Sequence, residues 1–215
     1  MKPSLPVSCF DLCLIPRHDL LGKAVTSRHI FPTIGALHGI RPNPNHVKDI
    51  QLILIGGPSK SYGWDAEALI SQLQAVAEHS ESPIILTTSR RTPADFVDQV
   101  TKACPSIQVV PVEQTKQGWV AQHLERAQSV WVTEDSVSMV YESLGSGAPV
   151  GILSMPPLPK GSTRIVEGLK LLRNENKICW WEDWKQTGAL PVPEASIPES
   201  DRAAQFIVNT LLSKP

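Results

Sequence analysis

Short apolar runs alternate with segments of helical period along most of the chain from residue 51 onward. Segment 65–79, for example, places Leu69, Leu73 and Val76 on one stripe of a helix. Five runs rich in β-branched residues are typical of buried strands: QLILIGG (51–57), PIILTTS (83–89), IQVVPV (107–112), SVWVT (129–133) and APVGIL (148–153). Strands that alternate with amphipathic helices predict βαβ units. We therefore expect an α/β fold built on a Rossmann-like, doubly wound and mainly parallel sheet.

Capping residues indicate where one of the helices begins. In TTSRRTPADF, Thr92 is a candidate N-cap, Pro93 occupies the first helical position and Asp95 stands three residues after the cap. This pattern predicts a helix that starts directly after Thr92. Further helices are expected within 118–128, 135–147, 162–175 and 201–214, and the proline-rich stretch 189–200 is expected to be extended surface chain.

Charge and composition exclude several classes of partner. Lys and Arg number 20 against 21 Asp and Glu, and a net charge of -1 gives no global reason to expect nucleic acid or an anionic membrane. No apolar run approaches the length of a transmembrane helix, and prolines and an Asp interrupt the N-terminal apolar stretch. The four cysteines lack the paired spacing of a zinc site. We expect a cytoplasmic protein with no transmembrane segment and no bound metal.

Polar loops follow the first, second and fourth predicted strands, where an open parallel sheet binds ligands. In GGPSKSYGWD, Gly56 and Gly57 allow close backbone approach and Lys60 is placed to meet a phosphate. The alternative is that the two glycines only form a strand-to-helix turn. The loop matches neither the Walker pattern nor G-x-G-x-x-G, which argues against a dinucleotide-dependent oxidoreductase.

The loop after the second strand brings two cations together with hydroxyl groups. Arg90 and Arg91 follow Thr87, Thr88 and Ser89. Guanidinium groups donate paired hydrogen bonds to phosphates and carboxylates, so this loop suits a diphosphate or a carboxylate. One of the two arginines is expected to face solvent or a surface acid instead.

The loop after the fourth strand, TEDSVSMVYE, carries acids and serines at the start of a helix. Asp135 or Ser136 can cap that helix, which is a sufficient structural reason for either residue. Glu142 has no such reason, because it lies seven residues after Asp135, about two turns along nearly the same face, and it shares a face with Ser138. A cleft-facing Glu142 could accept both hydroxyls of a ribose, while Ser136, Ser138 and the helix-start N–H groups beside Asp135 hold phosphates.

Together these motifs resemble a known family. LILIGGPSKSYGWD, TTSRRTP and VTEDSVSMVYESLGSGAPV, with PRHD (16–19) and TIGALHGI (33–40), resemble the mitochondrial fission proteins of the elongated-mitochondria type, whose bacterial members are often labelled nucleoside-diphosphate-sugar epimerases. That family is similar to glycosyltransferases of the two-domain GT-B fold, whose C-terminal half binds the nucleotide sugar. The resemblance implies a nucleoside diphosphate sugar as ligand and no covalently bound cofactor. The implied roles are ribose contact for Glu142, diphosphate contact for Ser136, Ser138 and Met139, and counter-charge for Arg90 or Lys60.

Under this resemblance, the chain divides into two parts. Residues 51–215 would form the nucleotide-binding Rossmann-like domain with its C-terminal helix, and residues 1–50 a strand and linker left from a first Rossmann-like domain. A complete two-domain enzyme of this type is much longer than 215 residues, so a missing N-terminal domain or a protein partner would have to complete it. His18 and Asp19 would then lie near the cleft, with His18 as a candidate general base. The alternative is that they are ordinary turn residues at the end of a strand.

Three functions remain open at this point. The first is a glycosyltransferase-like protein that binds a nucleotide sugar. The second is a non-catalytic interaction protein, since the plant members of the family promote mitochondrial division by recruiting a dynamin-like protein. The third is a non-hydrolysing epimerase of nucleoside diphosphate sugars. The short-chain epimerase mechanism is not expected, because neither Tyr62 nor Tyr141 begins a Tyr-x3-Lys pair.

Overall fold

A computed structural model describes residues 3–20, 27–161, 163–194 and 198–212 of the chain. Within these ranges the strands are β1 Cys13–Pro16, β2 Ile30–Thr33, β3 Ile50–Leu54, β4 Ile84–Thr87, β5 Ile107–Val110, β6 Ala127–Thr133, β7 Val150–Leu153 and β8 Cys179–Trp180. The helices are α1 Arg17–Leu20, α2 Ala66–Glu78, α3 Phe96–Ala103, α4 Trp119–Arg126, α5 Val137–Gly145, α6 Thr163–Asn174, α7 Trp181–Thr187 and α8 Glu199–Ile207.

The main sheet has six parallel strands in the order β5-β4-β3-β6-β7-β8. Leu52 in β3 is paired with Ile85 in β4 on one side and with Val130 in β6 on the other. Strands β4 and β5 therefore follow one another on one side of β3, and strands β6, β7 and β8 follow one another on its other side. This is the doubly wound Rossmann order, with its point of reversal between β3 and β6. The predicted fold class is confirmed.

Helices cover both faces of the main sheet, and successive strand residues supply the two layers. In β3, Ile53 faces the layer that contains α2, α3 and α7, whereas Leu52 and Leu54 face the layer that contains α4, α5 and α6. Trp131, Trp181 and Trp184 lie together in the first layer. Strands buried on both faces explain why the strand segments read as nearly continuous apolar runs rather than as alternating ones.

The N-terminal residues form a second, smaller sheet, in which β1 and β2 pair in parallel from Cys13 opposite Ile30 to Pro16 opposite Thr33. Helix α8 packs against β2 through a contact between the rings of Phe31 and Phe206, whose centroids are 4.4 Å apart. The last helix of the chain therefore returns to the N-terminal sheet, and the two ends of the chain are structurally joined.

Side-chain hydrogen bonds reinforce this junction. Arg202 Nη2 donates to the Pro32 carbonyl at 2.7 Å, and the Ile34 N–H donates to Glu199 at 2.9 Å. Arg41 forms an ion pair with Asp201 at 2.5 Å.

The predicted start of α3 at Thr92 is wrong. The helix begins at Phe96, with Asp95 in the N-cap position and no side-chain capping bond. The Thr92 hydroxyl is occupied elsewhere, because it accepts from the Ser89 N–H at 2.9 Å and donates to the Gly56 carbonyl. The Thr92 hydroxyl, which the local pattern predicted to cap α3, instead bonds to the loop that contains Gly56.

Candidate functional site

The loops after β3, β4, β6 and β7 meet at the carboxyl edge of the main sheet. The point of reversal between β3 and β6 lies under these loops, which is where open α/β sheets form a ligand crevice. The Gly56 N–H donates to the Thr133 hydroxyl at 2.7 Å, so the first loop is bound directly to the end of β6.

A partly buried ion pair connects three of these loops. Arg91 Nη2 lies 2.6 Å from Asp135 Oδ2 and donates to the Ser136 hydroxyl at 3.0 Å, while its Nη1 donates to the Gly57 carbonyl at 3.0 Å. The Gly57 N–H also donates to Asp135 at 3.1 Å. The Asp135 side chain is 0% exposed and that of Arg91 is 44% exposed. Arg91 and Asp135 therefore hold the edge together.

The glycine at position 57 is required by this close packing. A Cβ atom there would lie 2.3 Å from the Arg91 carbonyl oxygen and 2.8 Å from the Thr92 nitrogen, both of them backbone atoms that cannot move aside. The turn interpretation and the ligand interpretation of Gly57 are not exclusive, because the same close approach keeps the Arg90–Arg91 loop beside the first loop.

The alternative that Asp135 or Ser136 caps α5 holds for the position of Ser136 but not for a capping bond. Ser136 stands in the N-cap position, but no side chain accepts a capping bond from the helix. Both side chains are engaged with each other and with Arg91. As a result, the N–H groups of Val137, Ser138 and Met139 have no partner in the described part of the chain. An uncapped helix start with unpaired N–H groups is suited to bind an anion.

Exposed cations surround this edge. Lys60 follows β3, Arg90 follows β4 and Lys160 follows β7, and none of them forms an ion pair within the residues that the structure describes. The loops of Lys60 and Lys160 lie together, since Tyr62 forms a bridge with Pro157 and the Leu158 N–H donates to the Ser61 carbonyl at 2.8 Å. Sequence reasoning missed Lys160; its place in the loop that follows the predicted strand 148–153 was the available signal.

Glu142 lies half-buried on the outer face of α5, on the same side as the exposed Ser138. Burial raises the pKa of the Glu142 carboxyl above its ordinary value, and the nearby His38 acts in the opposite direction. Its carboxylate receives no hydrogen bond from any described residue. Met139, by contrast, packs against the hydrophobic layer beneath the helix. Glu142 is thus an acceptor that the protein itself does not satisfy.

The N-terminal part of the chain lies against α5. His18 Nδ1 is 3.1 Å from the Tyr141 hydroxyl, and the two rings stack with centroids 5.7 Å apart. Burial lowers the pKa of His18, while Asp19 acts to raise it. Asp19 Oδ1 lies 3.4 Å from Arg164 Nη1. The structure brings His18 to Tyr141 of α5 and Asp19 to Arg164 of α6.

A further acid that sequence reasoning did not single out, Glu134, is buried at the end of β6. Its carboxylate accepts from the Met155 N–H at 2.6 Å and from the Trp180 indole at 3.3 Å. Burial raises the pKa of Glu134, and these two hydrogen bonds act against that rise. Glu134 is engaged in holding β6 to the strands beside it.

Neither a metal centre nor a membrane-spanning helix is present in the described ranges. No three side chains among His, Cys, Asp and Glu come together there in an arrangement suited to a metal ion. No helix in the same ranges combines the length and apolar character needed to cross a bilayer.

A Rossmann-like, doubly wound α/β fold with a polar carboxyl edge thus defines the class of the protein. Residues 1–211 match the model of the mitochondrial fission ELM1 family, and the chain belongs to that family. A curated relative, an uncharacterized protein of Rickettsia prowazekii (strain Madrid E), is 24% identical over 201 residues, a match that covers 73% of this chain and 57% of the relative. The chain therefore spans little more than half of that relative's length.

Solved structures of similar fold include glycosyltransferases and a flavoenzyme. MurG of Acinetobacter baumannii is 15% identical, with 86% of this chain and 49% of that chain covered and a TM-score of 0.45. The Escherichia coli heptosyltransferase WaaC, solved with ADP-2-deoxy-2-fluoro heptose, is 13% identical, with 63% and 45% covered and a TM-score of 0.40. The FMN-dependent cysteine decarboxylase TvaF of thioviridamide biosynthesis is 12% identical, with 65% and 93% covered and a TM-score of 0.45.

Proposed function

We propose that this chain binds a nucleoside diphosphate sugar at the carboxyl edge of the main sheet, as the donor-binding part of a GT-B-type glycosyltransferase. The observation that carries the proposal is the convergence of an uncapped helix start, unpaired cations and an unsatisfied carboxylate. The helix is α5, and the carboxylate is that of Glu142 on the same helix. The helix N–H groups and the cations suit a diphosphate, and the carboxylate suits the hydroxyl groups of a ribose.

The diphosphate would be held by the N–H groups at the start of α5 and by Lys60 and Arg90. Lys160 is a further cation at the same edge. Ser136, Ser138 and Met139 belong to the turn that presents these N–H groups, and Gly56 belongs to the loop opposite. In this arrangement Arg91 and Asp135 set the positions of the loops and do not themselves neutralise the ligand, because their charges are paired with each other.

Transfer of the sugar would depend on stabilising the departing diphosphate rather than on a protein nucleophile. Cations and helix N–H groups fixed before the reaction stabilise charge that develops on a leaving group. His18, whose burial favours the neutral form that can accept a proton, is the proposed base in the cleft. A second Rossmann-like half or a protein partner would supply the acceptor side.

The cytoplasm is the proposed location of this activity. The four cysteines Cys9, Cys13, Cys104 and Cys179 are unpaired, which fits a reducing compartment.

Isothermal titration with UDP, GDP, CDP, ADP, their sugar conjugates and inorganic pyrophosphate tests the proposal. We expect at least one nucleoside diphosphate to bind, and Lys60→Ala or Arg90→Ala to weaken it by about tenfold or more, since a charge-assisted hydrogen bond contributes roughly 1.5–3 kcal/mol. Lys102→Ala is the matched control, because Lys102 is exposed near the end of α3 and should leave affinity unchanged.

Two outcomes would reject the proposal. One is the absence of binding to wild-type protein at millimolar concentration. The other is a nucleotide affinity that is the same in Lys60→Ala and Arg90→Ala as in the control Lys102→Ala. If a nucleotide sugar binds, incubation without an acceptor distinguishes the epimerase alternative, since only an epimerase would interconvert the sugar on its own.

A non-catalytic interaction protein is the second candidate, and one observation favours it. The exposed apolar side chains of Phe10 and Leu211 line one cavity between the N-terminal residues and the end of the C-terminal helical segment, together with Leu12, Leu14 and Ile207. Exposed apolar groups gathered at one place are typical of a surface that another polypeptide covers. Failure of all nucleotides to bind would favour this candidate.

A further inference from the structure

His38 lies directly on helix α5, 104 residues away in the chain from Glu142. It belongs to residues 34–42, here called the covering segment, which follows β2. A Cβ atom on Gly145 would lie 2.1 Å from His38 Cε1 and 2.9 Å from His38 Nε2. The imidazole ring therefore occupies the space that any side chain at position 145 would fill. Gly145 is three residues beyond Glu142, so the two positions are neighbours on one face of the helix.

A second contact fixes the covering segment on the same helix. A Cβ atom on Gly35 would lie 2.2–2.5 Å from ring atoms of Tyr141, so the backbone at Gly35 rests on that ring. Tyr141 is in turn in contact with His18. The covering segment thus meets α5 at two successive places, and His38 is presented to the helix at a defined position.

The polar groups at this junction are incomplete. His38 Nδ1 is buried and has no hydrogen-bond partner in the described part of the chain. The carboxylate of the half-buried Glu142 likewise receives no hydrogen bond there. A buried polar atom without a partner costs stability, and the half-buried Glu142 carboxylate on the same face of the helix leaves its acceptor sites open to a ligand.

We propose that His38 is a positioning residue for Glu142 and that the covering segment forms the second wall of a ribose subsite. This inference rests on the proposed function, and it assigns the ribose of the nucleoside diphosphate to the accessible side of Glu142, beside the covering segment. One ribose hydroxyl donates to the Glu142 carboxylate, and the imidazole restricts where that carboxylate can turn. Burial raises the pKa of Glu142, and His38 acts against that rise, in the direction of the ionised carboxylate, which is the better acceptor.

Ribose preference is the property that isolates this role. The probes are ADP, UDP, GDP and CDP, each with its 2′,3′-dideoxy counterpart, and inorganic pyrophosphate, all measured by isothermal titration. In wild-type protein we expect the ribonucleotide to bind about tenfold more tightly than the dideoxy compound, the effect of one good hydrogen bond to a charged group. In His38→Ala and Gly145→Ala this ratio should fall towards one, while pyrophosphate affinity stays unchanged.

Controls separate positioning from general damage. Gly39→Ala adds a methyl group in the same covering segment where nothing lies within 4 Å, and should leave the ribose ratio as in wild type. Thermal denaturation verifies folding of each variant. His38→Gln, which retains a polar side chain, should give an intermediate ratio and serves if His38→Ala does not fold. In a Glu142→Ala background, His38→Ala should change the ratio no further.

The outcomes for this inference and for the proposed function are distinct. A nucleoside diphosphate that binds with an undiminished ribose ratio in folded His38→Ala and Gly145→Ala overturns the role of His38 alone. Loss of pyrophosphate affinity in the same variants also overturns it, because the effect would then not be confined to the ribose. Absence of both nucleotide and pyrophosphate binding in wild type rejects the proposed function, and this inference with it.

Discussion

Two adjacent arginines, Arg90 and Arg91, have different surroundings, and only tertiary contacts distinguish them. Arg91 donates to the Gly57 and Pro58 carbonyls and pairs with the buried Asp135. Arg90 is exposed and has no ion pair within the described residues. In the sequence they are equivalent cations in one loop. We therefore expect Arg91 to contribute to the stability of the fold and Arg90 to contribute to ligand affinity.

Arg91→Ala should lower the free energy of unfolding by about 2–3 kcal/mol, because it leaves the Asp135 carboxylate buried without its counter-charge. Arg91→Lys, which keeps the charge but not the planar fork, should lose less. Arg90→Ala should stay within about 0.5 kcal/mol of wild type. Urea denaturation with a constant m-value measures all three. Equal losses for Arg90→Ala and Arg91→Ala would contradict the assignment.

Glu142 should make stability depend on pH. Burial raises the pKa of this carboxyl, so the folded chain holds its proton up to a higher pH than the unfolded chain does. The free energy of unfolding should therefore fall as pH rises from the ordinary Glu pKa through the raised value. Glu142→Gln removes this dependence and should be more stable than wild type at neutral pH.

At about pH 3, below both pKa values, Glu142→Gln and wild type should be equally stable. Thermal denaturation across this range gives the comparison. A variant that is less stable than wild type at neutral pH would show that Glu142 makes a stabilising contact. The expected gain in stability, with loss of nucleotide affinity, is the trade-off typical of binding-site residues.

At the scale of elements, the helix starts differ most from local expectation. Helices α3 and α5 both begin without a side-chain capping bond, although Thr92, Asp135 and Ser136 stand close to their starts. In both cases the polar side chain bonds to another loop at the carboxyl edge. Helix α2 follows the local rule, since Asp65 accepts from the Ala68 N–H at 3.0 Å. Helices α4, α7 and α8 also begin without a side-chain capping bond. What distinguishes α3 and α5 is that the polar side chains at their starts bond to other loops of the carboxyl edge.

Helix α8 should stabilise the N-terminal sheet more than the main sheet. Phe206→Ala removes the ring that contacts Phe31 and should cost roughly 1–2 kcal/mol for a half-buried aromatic side chain. Hydrogen exchange should then become faster in β1 and β2, while β3 and β6 keep their protection. Leu212→Ala, at a side chain that is 71% exposed, is the matched control. A uniform loss of protection would show that the two sheets unfold as one unit.

At the scale of the whole molecule, the strand segments of the main sheet were largely predictable. Five of its strands fall within or close to predicted runs, because strands buried on both faces must be apolar throughout. The short β8 was not predicted, since Cys179–Trp180 carries no strand pattern of its own and forms by pairing with Gly151 and Ile152 of β7. The pairing of β1 with β2 was likewise not predicted, because paired residues such as Cys13 and Ile30 lie beyond the reach of a local pattern.

The candidate site was predictable in part. Loops after strands identified Lys60, Arg90 and Glu142, because the carboxyl ends of parallel strands share one edge. His38 gave no signal, since its meaning comes from contact with Gly145, which is remote in sequence. The sequence offered a local capping bond for Asp135, whereas the structure pairs its carboxylate with Arg91. A local pattern indicates caps but not an ion pair between two loops.

The sequence by itself determined the α/β class, the alternation of strands and helices, and the edge at which polar loops gather. These features follow from burial and from hydrogen bonds between near neighbours, which leave a periodic trace in the chain. Only the tertiary structure decided which arginine supports the loops, which helix starts remain open to an anion, and that a histidine from the covering segment stands beside Glu142. Those features depend on contacts between distant residues, and such contacts impose no period on the sequence.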